Sequence, residues 1–381
     1  MYLIDLKMSQ TATPQKLVHL IDVIRPGGGP SGYLYNLHQA GELYGTENFV
    51  VRFDSCTIER VNSVFLKLRW PHVLARHLKP LKYIVLLLLG QKLLCEGESA
   101  KPDALVMVHT APHAARILRK KQLNAKLIFM PHAPTSFTDE VMGEVDLRHG
   151  RSVFFGFYRN VLKRLELRLM SSSDLMVVAA REGVEAYFDG RGVPARELVE
   201  VTSGVPGFSA SVDRTAARKA LALPVGKLVV GYFGRYNQDK GYDFFRSEVS
   251  AMEQDDFVMF ISAGVGVLAA EDSSNYKNFG WRSDVDVLMS ACDVVVTPNK
   301  HTYFDLLPLE ALSLSRPVFA SRTGGNKRLA HLSDAVTLFD RQPGALAHRH
   351  RSRHTSDRPR AWQQVLPSRR QRGFCGSPLL H

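Results

Sequence analysis

A chain of 381 residues, 45% hydrophobic and 23% charged, has the length for two packed cores and is too apolar for a disordered protein. Its formal charge of +12 would argue for nucleic acid or an anionic surface if it were spread evenly, but Arg341 to His381 holds nine arginines against one acid and carries +8 of it. The remaining +4 fits a mildly basic enzyme, and no nucleic-acid partner is expected.

Cys56, Cys95, Cys292 and Cys375 match no ligand spacing, so a reduced cytoplasmic protein without a metal site is expected. Met1 to Thr13 has no secretory pattern, and the longest apolar run, Tyr83 to Leu89, falls short of the roughly 18 residues a span needs.

Leu17 to Ile24 reads as the first strand and runs into RPGGGPSG, with a helix from Tyr33 to Leu43 and Ser31 as its cap. A strand, glycine turn and helix bring backbone N–H groups toward an anion, here around Gly28 and Gly29, although GxGxxG is absent. A plain tight turn is the competing reading. Phe49 to Phe53 is a short strand. Between Val61 and Leu94, apolar residues alternate with Lys67, Arg69, Arg76, Lys79 and Lys82, which fits helices covering a sheet or a basic, apolar face on an anionic membrane.

Strands at Ala104 to Val108 and Lys126 to Met130 flank a helix from Ala114 to Lys121, and place His109 and His132 at strand ends, where open α/β sheets bind ligands. Either histidine can orient a hydroxyl or simply pack. Thr135 to Tyr158 reads as loop-rich, a segment for lining an acceptor pocket or forming a mobile flap, Leu162 to Met170 as a helix, Asp174 to Ala179 as a strand and Ala180 to Phe188 as a short helix. The small, polar stretch from Val201 to Asp213 then marks a domain junction.

Arg214 to Ala222 is a helix, and Val229 to Gly234 (VVGYFG) is a strand that breaks on glycine, with Arg235 and Lys240 just beyond. A helix follows at Tyr242 to Met252, a strand at Phe257 to Ser262 and a helix at Val285 to Ser290, preceded by Gly280 and Trp281; the tryptophan either stacks on a base or fills a gap. Strand Val294 to Thr297, helix Leu306 to Ser315 and strand Pro317 to Ser321 lead to the turn at Gly324 and Gly325. Strands alternating with helices mean parallel sheets. Two cations, acidic side chains and a glycine turn at strand ends form a nest for a phosphorylated ligand.

On these residues the chain resembles the retaining GT-B glycosyltransferases of family 4 over roughly residues 16 to 340. The likeness rests on the glycine turn Gly27 to Gly32, the strand-end His132, GRYNQDKG at Gly234 to Gly241, which is similar to the family's G-R-x4-K-G, LPLEAL with Glu310, and TGGN. It implies an α/β fold of GT-B architecture, two Rossmann-like parallel-sheet domains facing across a cleft. Residues 1–205 would form the acceptor side, 206–343 a truncated nucleotide-sugar side and 344–381 a basic, atypical tail that reads as a frameshifted or degenerated end, with a genuine basic binding tail as the competing reading.

The resemblance further implies Arg235 and Lys240 on the donor diphosphate, Glu310 on the ribose, and His132 near the sugar. Gly28, Gly29, Gly234, Gly280, Trp281, Gly324 and Gly325 would line the nucleotide. No cofactor or metal is implied. The donor substrate would be a UDP- or GDP-sugar and the acceptor a glycan, a lipid-linked or a small molecule, in polysaccharide or cell-envelope synthesis, in the cytoplasm with peripheral membrane contact. Thr302 stands where the family keeps a carboxylate near the sugar, and Asp305 where it has glycine, so either Asp305 or the Thr302 hydroxyl is the candidate replacement, with Asp305 put first. A nucleotide-sugar binding protein without activity, an inverting transferase and a sugar-nucleotide epimerase of the same shape are the competing readings.

Overall fold

The computed structural model describes residues 17–21, 24, 29–44, 49–53, 72–89, 105–111, 126–184, 197–205 and 212–346. The chain divides into two compact units, Met1–Ser203 and Gly204–His381.

The first unit holds strands β1 (Leu17–Ile21), β2 (Phe49–Phe53), β3 (Leu105–Val108), β4 (Lys126–Phe129), β5 (Leu175–Val178) and β6 (Leu198–Glu200) in the order β2-β1-β3-β4-β5-β6, every pairing parallel. The order reverses between β1 and β3, which puts the ligand crevice of such a sheet at the carboxyl ends of those strands. Helix α1 (Gly29–Tyr44) begins inside the glycine turn, so Ser31 lies in its first turn and is not the expected cap. Gly29 has φ 73°, a value that favours glycine, whereas Gly28 lies outside the described residues, as does the helix expected at Ala114 to Lys121.

Helices α2 (His72–Leu89), α3 (Phe137–His149) and α4 (Phe155–Ser171) pack together through Ile84, Leu87, Val141, Met142 and Leu162. The segment expected as a loop from Thr135 to Tyr158 is therefore largely helical. Thr138, Val141, Met142 and Val145 form its buried stripe at helical spacing, and Ser136 caps it by accepting from the Asp139 N–H at 3.1 Å. Glu166 of α4 accepts from the N–H groups of Phe137 and Thr138 at 2.8 and 3.0 Å and from the Thr138 hydroxyl at 2.7 Å, satisfying the first donors of α3. Of the short helix expected at Ala180 to Phe188, the described part holds a 3-10 turn, Arg181–Gly183, and residues 185–188 lie outside the described residues.

The second unit begins with α5 (Arg214–Ala220) and contains β7 (Leu228–Phe233), α6 (Tyr242–Ala251), β8 (Val258–Ala263), β9 (Tyr276–Asn278), α7 (Val285–Ala291), β10 (Val294–Thr297), α8 (Leu307–Ser313), β11 (Val318–Ser321), α9 (Gly325–Leu332) and β12 (Val336–Phe339). Its parallel sheet runs β12-β11-β10-β7-β8-β9, the Rossmann order, and reverses between β7 and β10. β10 and β11 are buried along their whole length, as helices on both faces require. The buried Arg218 donates to the carbonyls of Ala291, Val225 and Lys227 and pairs with Asp293 at 2.5 Å, and Asp293 also accepts from Val229 N at 2.8 Å; this ties α5 to the starts of β7 and β10.

The packed structure continues past the expected domain end at residue 343. Gly344 N and Leu346 N donate to the Glu248 carboxylate at 2.6 and 2.8 Å, and Leu346 joins the core around Phe244, Val249 and Phe339. The reason is local: Leu346 is apolar and meets a hydrophobic cluster, while the glutamate supplies both acceptors.

Candidate functional site

The strand ends of the second unit gather most of the residues singled out by sequence. β7 stops at Gly234, whose φ of 139° suits glycine and whose carbonyl would lie 1.8 Å from any Cβ at Gly264, so the loops after β7 and β8 touch backbone to backbone. The Tyr232 hydroxyl donates to the Arg235 carbonyl at 2.7 Å and fixes this turn. The Arg235 side chain is exposed and forms no ion pair among the described residues.

Lys240 closes the same loop. Its N–H donates to Asn237 Oδ1 at 2.9 Å, and its Nζ donates to both Asp305 oxygens, at 2.7 and 2.9 Å. Gly241 has φ 72°, and a Cβ there would sit 1.9 Å from the Pro298 carbonyl, so the loops after the adjacent strands β7 and β10 are in backbone contact. A second link is Lys300 N to Asp239 O at 2.9 Å. Asn299, just after β10, donates Nδ2 to Asp305 Oδ2.

Gly324 and Gly325 do the same for β11. A Cβ on either would lie 1.8 Å from the Thr302 carbonyl or 2.1 Å from that of Tyr303. Thr302 is 3% exposed, and its Oγ1 has no hydrogen-bond partner among the described residues. It faces inward and lacks the carboxylate the resemblance calls for.

Glu310 in the first turn of α8 is half-buried, and its carboxylate makes no hydrogen bond to a described residue. Burial, and then the negative charge of Asp305, raise its pKa. A carboxylate left this way is an acceptor waiting for donors such as vicinal hydroxyls. Gly280, with φ 62°, accepts from Gly264 N at 2.8 Å, and the next residue, Trp281, is 71% exposed; it fills no gap in its unit.

In the first unit the structure joins three histidines, of which sequence reasoning singled out two. His19 on β1, His109 after β3 and His132 after β4 form a chain: His19 Nδ1 lies 3.1 Å from His109 Nε2, and His109 Nδ1 lies 2.8 Å from His132 Nε2. Tyr33 of α1 packs its ring 5.1 Å from His132. Burial lowers the pKa of His19 to about 3, and burial followed by the His19 charge lowers that of His132 to about 3, so both rings stay neutral near pH 7. Each ring-to-ring contact needs one N–H and one lone pair, which couples the tautomers along the chain. His19 was invisible in the sequence because it looks like a polar interruption of LVHLI.

Among the described residues no group of three or more His, Cys, Asp or Glu is arranged to hold a metal ion, and no helix is long and apolar enough to cross a membrane. Cys292 is buried and free, its thiol pushed up by burial.

Two parallel Rossmann-like sheets define an α/β chain of GT-B architecture, and the solved structures that resemble it agree. They include the HepE protein of Anabaena in complex with UDP (TM-score 0.57, 17% identity, 92% of this chain and 94% of that one) and WaaG, a glycosyltransferase involved in lipopolysaccharide biosynthesis (TM-score 0.56, 13% identity, 92% and 94%). Residues 227–352 match the family model described as Glycosyl transferases group 1. Among curated proteins, a D-inositol 3-phosphate glycosyltransferase of Corynebacterium aurimucosum is 24% identical over 227 residues, 53% of this chain and 50% of its own length. The lipopolysaccharide core mannosyltransferase LpsB of Rhizobium meliloti is 28% identical over 168 residues, 40% and 47%. The chain thus spans about half the length of the curated relatives it matches. It is similar in sequence, over the second unit above all, to group 1 glycosyltransferases.

Proposed function

We propose that the chain is a glycosyltransferase that moves a sugar from a nucleoside diphosphate to an acceptor hydroxyl, with retention of anomeric configuration. The observation that carries this reading is the contact between the loops after the adjacent strands β7 and β10, where Lys240 binds Asp305; Arg235 lies in the same loop as Lys240, and Glu310 is near enough to Asp305 to feel its charge. In this reading the exposed Arg235 guanidinium and the Lys240 ammonium meet the diphosphate, and Glu310 accepts from the ribose hydroxyls. The face of Trp281 is available to the base.

As the bond between sugar and diphosphate lengthens, negative charge gathers on the leaving phosphate, and fixed cations and loop N–H groups stabilise it. The acceptor attacks on the face the diphosphate leaves, so no side chain serves as covalent nucleophile. His132, held neutral, offers a hydrogen bond to a substrate hydroxyl at the strand ends of the first unit. Nearby relatives bind UDP or act in lipopolysaccharide and inositol phosphate chemistry by their printed names, which supports a UDP-sugar first and a cell-envelope or polysaccharide acceptor. Peripheral membrane contact would use α2, whose Leu74, Leu81 and Leu88 are exposed at seven-residue spacing.

The test is a panel of UDP-, GDP- and dTDP-sugars with product detected by mass spectrometry and its anomeric configuration read by NMR. Arg235→Ala is expected to weaken binding of the preferred nucleoside diphosphate at least about tenfold, the value of one charge-assisted hydrogen bond. An unchanged affinity would sink the phosphate assignment. The burial of Thr302 favours one second reading, a nucleotide-sugar binding protein, and donor binding without transfer or hydrolysis would establish it.

A further inference from the structure

The geometry points to Asp305 as an internal counter-anion that competes with the donor diphosphate for Lys240, sets the affinity of the site and speeds the departure of the product nucleotide. This rests on the proposed donor site and extends it. Lys240 Nζ has three N–H donors, and the bidentate contact at 2.7 and 2.9 Å commits two of them to Asp305. A phosphate oxygen that reaches Nζ therefore arrives within a few ångströms of a carboxylate. Either Lys240 lets Asp305 go, or the diphosphate binds beside a like charge.

The charge count makes the same point. Lys240 and Asp305 cancel, which leaves Arg235 as the one uncompensated cation among the two residues assigned to the diphosphate. As a purely structural ion pair this one would be poorly placed. Its side chains are 30% and 23% exposed, so a ligand can reach the pair, and the backbone contacts of Gly241 with Pro298 and of Lys300 with Asp239 already join the two loops without it. Nor is Asp305 positioned as a free sugar contact, because Lys240 and Asn299 both donate to it.

Asn299 makes the exchange inexpensive. When Lys240 swings to a phosphate, Asn299 still donates to Asp305 Oδ2, so the carboxylate keeps a partner. When the nucleoside diphosphate dissociates, Asp305 recaptures the ammonium. Product release then replaces one ion pair with another and does not strand a charge.

The experiment measures equilibrium affinity and dissociation rate of UDP and GDP for the full chain. Asp305→Asn keeps the size and a hydrogen-bonding oxygen but removes the charge. It is expected to tighten the preferred nucleotide about tenfold, mostly by slower dissociation. Lys240→Met is expected to weaken it, and in Lys240→Met the additional Asp305→Asn change should give a tightening of less than about threefold, because most of the effect passes through Lys240. Asp305→Gly, the residue that the family resemblance leads one to expect at this position, provides a second route should the asparagine variant fold poorly. If neither Asp305 variant tightens binding, or if the tightening survives undiminished without Lys240, the inference is overturned. Loss of affinity in Arg235→Ala together with no gain in the Asp305 variants defeats the inference alone. Affinity indifferent to Arg235, or no binding of either nucleotide, defeats the donor-site reading itself.

Discussion

At the scale of single residues the proposed donor site is built from groups that the fold leaves underused. Glu310 is the clearest, a half-buried carboxylate with a raised pKa and no hydrogen bond to a described residue. A carboxyl whose folded pKa lies above its unfolded value stabilises the fold below the unfolded pKa, and that contribution is lost as pH rises through the folded value. Near pH 7.5 the ionised side chain is therefore a net cost to folding. Glu310→Gln is expected to unfold at higher urea concentration than the parent at pH 7.5, with the difference shrinking toward pH 4. The same variant should bind the nucleoside diphosphate about ten times more weakly, because an amide accepts ribose hydroxyls less strongly than a carboxylate. Opposite signs for stability and binding are what a functional residue gives and a structural one does not. A variant that lost both would place Glu310 in the scaffold.

At the scale of elements, glycine sets how closely the strand-end loops approach. Gly241 combines φ 72° with a Cβ position 1.9 Å from the Pro298 carbonyl, so Gly241→Ala must move backbone. It is expected to destabilise the chain by about 1–3 kcal/mol in urea unfolding and to weaken nucleotide binding as Lys240 shifts with it. Gly143 in α3 is the control. It is exposed, without positive φ and with nothing within 4 Å of its Cβ, so Gly143→Ala should stabilise by roughly 0.5–1 kcal/mol. This contrast also marks what the sequence made legible. GRYNQDKG is contiguous, and its loop, strand and helix follow from local glycines and an apolar run. The pairing of Lys240 with Asp305 spans 65 residues and depends on the adjacency of β7 and β10, which no local pattern carries. Helix α3 was legible in its Ser136 cap and its apolar spacing, signals that the glycines and charges around them obscured, whereas its second N-terminal acceptor, Glu166, lies 28 residues after Thr138 and has no local trace. β6, β9 and β12 were missed because three- or four-residue edge strands exist by virtue of their one neighbour.

At the scale of the whole molecule, each unit carries its own sheet and core, and the alternation of strands and helices made that architecture readable from the amino acids alone. Composition was a poorer guide to where the second core stops. The change to arginine, serine and proline placed its limit at residue 343, yet composition is an average and burial is decided side chain by side chain. Leu346 is 2% exposed beside Phe244, Val249 and Phe339, and the buried Glu248 accepts from the N–H groups on either side of Ala345. Leu346→Ala in the full chain is expected to cost about 2–4 kcal/mol in urea unfolding, the range for a buried leucine that leaves a cavity. Glu248→Gln should also destabilise it, since an amide offers a single acceptor oxygen where Gly344 and Leu346 now use two. If residues 344–346 stood outside the core, Leu346→Ala would be neutral, and the core of the second unit would end at β12.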